Sequence, residues 1–433
     1  MPISDWRFTK KPLTLVRNAK KSPKIRRKTI ARLLMGEWIK PIDVTKTESL
    51  VAYRGGKGYV ETDEFFKKRM LEIYFLDVGQ GDAILVQTPN DRRILIDGGR
   101  DAKAHSFLKW KYNLKKSTNK IHFDAIVMTH PDQDHAKGLV NILRDPQIIV
   151  DSIYHNGIVR FKDEKIGEIK NKQLVELYDD VTKIDKKKLS GDYKRFVNAV
   201  NLAKQNNPNL TIKHLDQFSK KLHEFDSDNL TIKVLGPLNV GTKSNIKYRY
   251  FNNNGITLNG NSISLMLEYG KCKILLCGDM NKPAEKKFLE YHKGKKLRAN
   301  VFKANHHGSQ DFTLEFLRAV KPWASIVSSG DNPDYGHPRA VLLGSLGRYA
   351  LSTIKRPLVF STEIAATFKK ISEKEFSHMN TKSKQLYEKA IQGVIHVRSD
   401  GKNLVLGRVY GNSKIANPEN PNGYNWEYYK LKL

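Results

Sequence analysis

The chain has 433 residues, of which 39% are hydrophobic, and 76 Lys and Arg against 45 Asp and Glu give it a formal net charge of +31. This length predicts two or three domains, and the charge predicts attraction to a polyanion such as nucleic acid, although a generally Lys-rich surface is the alternative. Two cysteines exclude a disulfide scaffold. Because the N-terminus lacks the apolar core of a signal peptide and no run approaches about 20 apolar residues, we expect a cytoplasmic protein without membrane insertion.

The first 66 residues predict a small β-barrel. They are strongly basic, and short strand-like segments alternate with Gly-rich turns, notably at 54–58. The order LTLVRN, LLMGEWIKPI and SLVAYRGGKGYV resembles the bacterial Src-homology-3-like module over about residues 10–65. The resemblance implies a module that binds a protein partner or a polyanion and carries out no chemistry.

Residues 70–410 predict strands interleaved with helices. Strands are expected at 71–78, 83–87, 93–96, 125–128, 148–154, 230–235, 262–269, 273–276, 300–304, 324–328, 357–360, 393–397 and 404–409, and helices at 105–112, 136–143 and 283–292. Residues 158–225 are Lys-rich and weakly apolar, which predicts a helical insertion or lid, and 411–433 are expected to form a tail. Two runs of strands with helices between them predict two packed sheets with helices outside, an α/β sandwich.

The segment THPDQDH, residues 129–135, places two His and two Asp directly after an apolar strand. Side chains at the carboxyl end of a strand can converge above the sheet. Imidazoles and carboxylates together suit a divalent metal, and a cation would offset the cost of burying them. The alternative is that Asp132 or Asp134 only caps the helix that follows.

Three further clusters follow predicted strands. Asp279 ends the run ILLCGD, the pair His306 and His307 follows the strand at 300–304, and His337 lies in a loop after the strand at 324–328. Active-site groups of α/β sheets collect at such strand ends.

In chain order, FLDVGQGDAILVQTP, ILIDGG, THPDQDH, ILLCGD, ANHHGS and YGHP resemble the metallo-β-lactamase fold, and more narrowly the ComEC-type DNA-uptake hydrolase domain and its free-standing relatives. The resemblance covers residues 71 to about 340, and the domain is expected to extend to 410. The fold it implies is an αββα sandwich, preceded here by the small β-barrel.

The resemblance implies a centre of two divalent metal ions. The implied ligands are His130, Asp132, Asp134, His135, Asp279 and His306, and the implied catalytic residues are Asp134, His307 and His337. His306 is favoured over His307 as the late ligand, and His307 is expected to contact a phosphate. Many family members have His where Asp132 stands; this harder carboxylate favours manganese, with zinc as the alternative.

Three neighbouring residues complete this expectation. Asp97, in the DGG turn, is expected to support the site by hydrogen bonding. Asp82 is expected to fix its turn rather than to bind metal. No motif identifies the middle His ligand, and His155 is the candidate.

The leading hypothesis is a phosphodiesterase or nuclease that cuts DNA or RNA through a hydroxide activated by two metals. A small-molecule phosphoesterase, or a lactam or ester hydrolase on the same fold, is the first alternative. The second is a non-catalytic nucleic-acid-binding protein with a relict site.

Overall fold

The computed structural model describes residues 6–19, 27–54, 56–114, 118–293, 297–330, 335–350, 357–368, 387–391, 393–410 and 425–433. Within these ranges, no helix combines the length and the apolar character that a membrane span requires.

An N-terminal sheet of seven strands forms an open half-barrel in the order β3-β2-β6-β5-β4-β1-β7. Its strands are β1 (Arg7–Thr9), β2 (Leu13–Arg17), β3 (Thr29–Leu34), β4 (Trp38–Val44), β5 (Glu48–Tyr53), β6 (Gly56–Glu61) and β7 (Phe65–Phe66). The β-barrel expected at the N-terminus is therefore present as a half-barrel, and it has its own apolar core around Val16, Ile39 and Val51.

The first large sheet has nine strands in the order β17-β14-β12-β10-β9-β8-β27-β28-β29. They are β8 (Leu71–Phe75), β9 (Ile84–Gln87), β10 (Arg93–Ile96), β12 (Ala125–Val127), β14 (Ser152–His155), β17 (Thr211–His214), β27 (Ile395–Ser399), β28 (Asn403–Tyr410) and β29 (Asn425–Lys432). The tail expected at 411–433 thus supplies an edge strand of this sheet, because β29 pairs with β28 over its whole length.

The second large sheet has six strands in the order β18-β20-β21-β22-β23-β24. They are β18 (Leu230–Gly236), β20 (Ser264–Tyr269), β21 (Cys272–Leu276), β22 (Val301–Lys303), β23 (Ala324–Val327) and β24 (Leu358–Ser361). Smaller sheets join β11 (Ile121–Phe123) to β13 (Ile148–Val150), β15 (Ile169–Lys170) and β16 (Gln173–Leu174) to β19 (Tyr248–Arg249), and β25 (Glu363–Phe368) to β26 (Tyr387–Ile391).

Helices cover the outer faces of both large sheets. The α-helices are α1 (Lys103–Lys111), α2 (Gln133–Ala136), α3 (Leu139–Leu143), α4 (Gly191–Asn206), α5 (Asn254–Gly260), α6 (Lys282–His292), α7 (Leu314–Val320) and α8 (Ala340–Tyr349). Short 3-10 turns lie at Thr62–Glu64, Val181–Lys183, Gln217–Ser219, His223–Asp228 and Asn305–Gly308.

Three apolar layers hold this αββα sandwich together. Alternate residues of one strand enter different layers, because successive strand side chains point to opposite faces. In β21, Ile274 packs between the two sheets, whereas Leu275 packs under α6 and α7 with Phe288 and Phe316. The two cysteines follow the same rule and are buried free thiols.

Residues 158–225 form an integral part of the first helical layer. The helical pattern expected across this segment appears as one long helix, α4, together with short strands and 3-10 turns. Tyr193, Phe196 and Val200 of α4 are buried in the core that α1 and α3 also line. The lid expectation therefore does not describe α4, whose apolar face is buried in the sandwich.

Candidate metal centre

The THPDQDH segment leaves β12 and enters α2, so that its side chains gather above the sheet. Asp132 occupies the N-cap position of α2 but makes no side-chain hydrogen bond to the helix. Instead Arg160 donates to its Oδ1 from Nε at 3.0 Å and from Nη2 at 2.6 Å. The carboxylate of Asp132 is therefore not a helix cap.

Four buried residues bring one ligand atom each to within 4.8 Å of one another: Asp82, His135, Asp279 and His307. Oδ2 of Asp279 lies 3.2 Å from Nε2 of His135 and 3.0 Å from Nε2 of His307. The two Nε2 atoms are themselves 3.2 Å apart. This is the spacing of groups that share one cation.

The Nδ1 atoms of both imidazoles already form hydrogen bonds to groups behind the site. Nδ1 of His135 lies 2.8 Å from Oδ2 of Asp97, and Nδ1 of His307 lies 3.0 Å from the carbonyl oxygen of Ser328. Because carboxylate and carbonyl oxygens only accept, each Nδ1 donates and each Nε2 is left to face the centre. Asp97 thus makes the supporting hydrogen bond expected of it, in the arrangement that orients metal-ligating histidines.

The electrostatics of the group fit a divalent metal. Although burial opposes it, the carboxylate of Asp279 raises the pKa of His135 and of His307 well above the usual value. A bound cation would displace those protons and satisfy the same carboxylates. Among the described residues, Oδ1 of Asp279, Oδ1 of Asp82 and Nε2 of His130 are buried without a hydrogen-bond partner, and such orphaned atoms indicate a missing ligand.

Asp134 is the partly open member of this group. Its Oδ2 lies 3.3 Å from Nε2 of His307, and its side chain is 24% exposed. Burial opposes ionisation, but the hydrogen bond from His307 and the charge of His135 lower the pKa of Asp134. The Gly81 turn packs directly on it: with φ +129°, a Cβ there would lie 2.2 Å from the Asp134 carbonyl oxygen.

We call Asp82, Asp134, His135, Asp279 and His307 the His135 side of the centre, and His130 and Asp132 the His130 side. His130 is fully buried, and its Nε2 lies 3.7 Å from Oδ2 of Asp132. Its Nδ1 lies near the hydroxyls of Thr129, at 3.1 Å, and Ser262, at 3.3 Å.

The His306–His307 pair is divided between two environments. His307 enters the four-residue group, whereas Nε2 of His306 lies 3.3 Å from the amide of Asn259 and its ring stacks edge-on against His337. The geometry favours His307 over His306 as the late ligand. Both residues have positive φ, 48° and 51°, so the sharp turn separates their side chains.

His337 lies beside the centre, where it is buried against His306. Its Nδ1 is 3.4 Å from the Gln80 amide nitrogen. Because that nitrogen can only donate, Nδ1 accepts and the ring proton is assigned to Nε2. Burial, with the nearby charges of His307 and His306, lowers the pKa of His337 to about 4, so the ring is neutral near pH 7.

His155, the candidate for the middle ligand, does not reach the centre. It is fully buried at the end of β14, its Nδ1 accepts from the Gly157 N–H at 3.0 Å, and its Nε2 lies 3.1 Å from the Asp179 carbonyl oxygen. Since both ring nitrogens are bound to backbone, the candidate is wrong.

The sequence interpretation missed Lys303, a fully buried lysine beside the His135 side. Its Nζ lies 2.5 Å from Oδ2 of Asp82 and 3.5 Å from Oδ1 of Asp279, and it donates to the Gly278 carbonyl at 3.0 Å. Asp82, expected only to fix its turn, therefore lies at the centre and is paired with this ammonium. The sequence signal that could have identified Lys303 is a lysine on the inward face of an otherwise apolar strand, β22.

Comparisons with known proteins find similarity to one superfamily and to two longer proteins. Residues 76–210 match the model of the metallo-beta-lactamase superfamily. ComE operon protein 3 of Bacillus subtilis (strain 168) is 26% identical over 299 residues, which cover 66% of this chain and 31% of that protein. Recombination protein 2 of Haemophilus influenzae is 25% identical over 275 residues, which cover 63% of this chain and 26% of that protein. The matched region thus spans less than a third of either relative.

Solved structures give more distant matches. Zn(2+)-bound PqqB from Methylobacterium extorquens has 9% identity and a TM-score of 0.36, with 66% of this chain and 97% of that chain covered. A long form RNase Z from yeast has 11% identity and a TM-score of 0.34, with 61% and 38% covered.

Proposed function

We propose that this chain, whose residues 76–210 match the metallo-beta-lactamase superfamily model, is a metal-dependent hydrolase whose reaction is the cleavage of phosphodiester bonds in DNA or RNA. The observation that carries the proposal is the buried group of Asp82, His135, Asp279 and His307. Carboxylates buried together at this spacing need compensating positive charge, which Lys303 and the imidazole protons supply in this structure and which a divalent cation would supply in place of those protons.

The His135 side would hold one divalent ion, and His130 with Asp132, the ligands that the family resemblance implies, would help to hold a second. Asp132, Asp134 and Asp279 make the donor set rich in hard oxygen, which supports manganese over zinc. A bound divalent ion supplies Lewis acidity, which lowers the pKa of water toward neutrality and polarises a phosphoryl oxygen.

Two side chains beside the four-residue group, Asp134 and His337, would act on the substrate. Oδ2 of Asp134 is partly exposed and stays ionised because its pKa is lowered, so it can accept a hydrogen bond from the attacking water and orient it. His337 is neutral and carries its proton on Nε2, from which it can donate a hydrogen bond to a phosphate oxygen. Its Nδ1 contact with Gln80 holds the ring in that orientation.

Two observations support nucleic acid as the substrate. The net charge of +31 favours association with a polyanion. In addition, one relative is named Recombination protein 2, and recombination acts on DNA. The +31 charge would also make binding weaken steeply with salt, as neutralised phosphates release counterions.

The test is cleavage of end-labelled single- and double-stranded DNA and RNA by the full chain as manganese is titrated. We expect cleavage that requires metal and that falls by at least about 100-fold in Asp134→Ala. The control is Asp101→Ala, which alters an exposed Asp just after the DGG turn and should cleave like wild type. Absence of cleavage by wild type, or equal cleavage by Asp134→Ala, would overturn the proposal. Hydrolysis of a small chromogenic diester alone, insensitive to salt, would instead indicate a small-molecule phosphoesterase.

A further inference from the structure

A cavity of about 510 Å³ opens beside the metal centre, between the ligand-bearing α2 and the start of α4. Pro131, Gln133 and Lys137 line it on the side of the centre, and Lys162, Ser190 and Tyr193 line it on the other. This volume falls in the range of small-ligand pockets, which is about 300–1,000 Å³.

Arg160 connects this cavity to the centre. It lines the cavity, and at the same time its Nε and Nη2 both donate to Oδ1 of Asp132. Pro131, the residue between His130 and Asp132, forms part of the same wall. A polynucleotide with one phosphate at the metal centre would therefore place its neighbouring nucleotide at this wall.

The cavity lining includes lysines that no carboxylate of the described residues neutralises. Within the part of the chain that the structure describes, neither Lys137 nor Lys162 forms an ion pair, whereas Arg195 is paired with Asp192. The N-terminus of α4, a helix of 16 residues, also faces the cavity through Ser190 and Gly191, and the Ser190 side chain makes no cap bond. Free N–H groups of a first helical turn bind anions.

A second, independent feature is the hydroxyl of Tyr193. The residue lines the cavity, is only 2% exposed, and among the described residues its hydroxyl has no hydrogen-bond partner. Buried hydroxyls are normally bonded, so this one is an unsatisfied polar group in the wall of the cavity.

The lining also includes two carboxylates that are not paired within the described chain, those of Asp163 and Glu164. A bare phosphate would be repelled by them. Carboxylates can accept hydrogen bonds from the amino groups of nucleobases. The mixed lining therefore fits a ligand that carries both a negatively charged group and hydrogen-bond donors.

We propose that this cavity is a nucleotide-binding subsite that holds the nucleotide adjacent to the scissile phosphate of a polynucleotide strand, an inference that rests on the phosphodiesterase function proposed above. Lys137, Lys162 and the α4 N-terminus bind its phosphate, and Asp163 or Glu164 accepts from its base. Arg160 fixes the position of the subsite relative to Asp132.

The test uses charge reversals in the full chain with matched neighbours as controls. Lys162→Glu is compared with the control substitutions Lys165→Glu and Lys194→Glu, since Lys165 and Lys194 are exposed and lie outside the cavity lining. Binding of a fluorescent single-stranded 12-nucleotide DNA is measured by anisotropy in metal-free buffer at several salt concentrations. Wild-type hydrolysis of the same DNA and of a small chromogenic diester is followed in parallel with manganese.

We expect Lys162→Glu to weaken DNA binding about tenfold and to reduce the slope of log K against log salt by about 0.7, because the variant neutralises one phosphate fewer. The control substitutions should change affinity less than about twofold. Equal effects in variant and control, with DNA cleaved by wild type, would overturn the subsite and leave the proposed function standing. The expected binding pattern without any hydrolysis would support the subsite and overturn the hydrolytic function instead.

Discussion

On one side of the metal centre, His135 and His307 are fixed through Nδ1 by Asp97 and by the Ser328 carbonyl, and both point at Asp279. On the other side, Nδ1 of His130 lies near two hydroxyls, its Nε2 has no hydrogen-bond partner among the described residues, and Asp132 is bound to Arg160. The His135 side is thus organised for metal before any ion arrives. The His130 side instead contacts the cavity between α2 and α4, because Arg160 both lines that cavity and donates to Asp132. We therefore expect the His135 side to bind a divalent ion more tightly, and four experiments test this difference.

The largest effect is expected from His135→Ala. Removing Nε2 from the four-residue group should lower manganese content below one equivalent and abolish metal-dependent activity, whereas His130→Ala should retain about one equivalent. Metal content is measured by mass spectrometry after dialysis. His122→Ala, which alters an exposed histidine of β11, is the control. Equal metal loss in His135→Ala and His130→Ala would show that the two sides do not differ.

Lys303→Met tests what holds the His135 side together without metal. Removing one partner of a buried ion pair costs about 3–5 kcal/mol, because Asp82 and Asp279 are left without their cation. Bound manganese would offset part of that charge, so the drop in unfolding free energy should be larger in chelator than in manganese. Urea unfolding under both conditions measures it, with the exposed Lys271→Met as control. A drop of the same size in both conditions would contradict a shared role for ammonium and metal.

Glu285→Gln tests the support beneath the His306–His307 turn. The buried Glu285 carboxylate accepts from Asn305 Nδ2 at 2.9 Å and from the Thr313 backbone N–H at 2.6 Å, and burial raises its pKa from 4.5 to about 7. Because the folded state then holds the proton more tightly than the unfolded state, the contribution of Glu285 to stability falls by about 3 kcal/mol as pH rises from 4.5 to 7 and does not change above that.

The Gln substitution should flatten that slope, since it cannot titrate. Urea unfolding at pH 5, 6, 7 and 8 measures it, and Glu290→Gln, exposed on the same helix, should keep the wild-type slope. An unchanged slope in Glu285→Gln would show that another group carries the dependence.

The smallest effect is expected from Asp97→Asn. Losing the carboxylate behind His135 should weaken manganese binding about 10–100-fold, as measured by competition with a chelating dye. The exposed Asp101→Asn is the control. A change below about threefold would mean that the orientation of His135 does not depend on Asp97.

Much of this centre could be predicted from sequence because its parts are local. The apolar runs that end at His130 and Asp279 are strands β12 and β21, and the ligands follow within a few residues of each strand end. Adjacent residues determine such strand-and-turn patterns. The order of the motifs along the chain then indicated the αββα fold.

The tertiary structure alone decided which side chains meet. Lys303 pairs with Asp82 and Arg160 with Asp132 across long stretches of chain, and His307 rather than His306 enters the group because of a left-handed turn. His155 was misassigned for the same reason, since its strand end faces the Asp179 backbone. The physical reason is that sheet order and register, which no short segment encodes, set these distances.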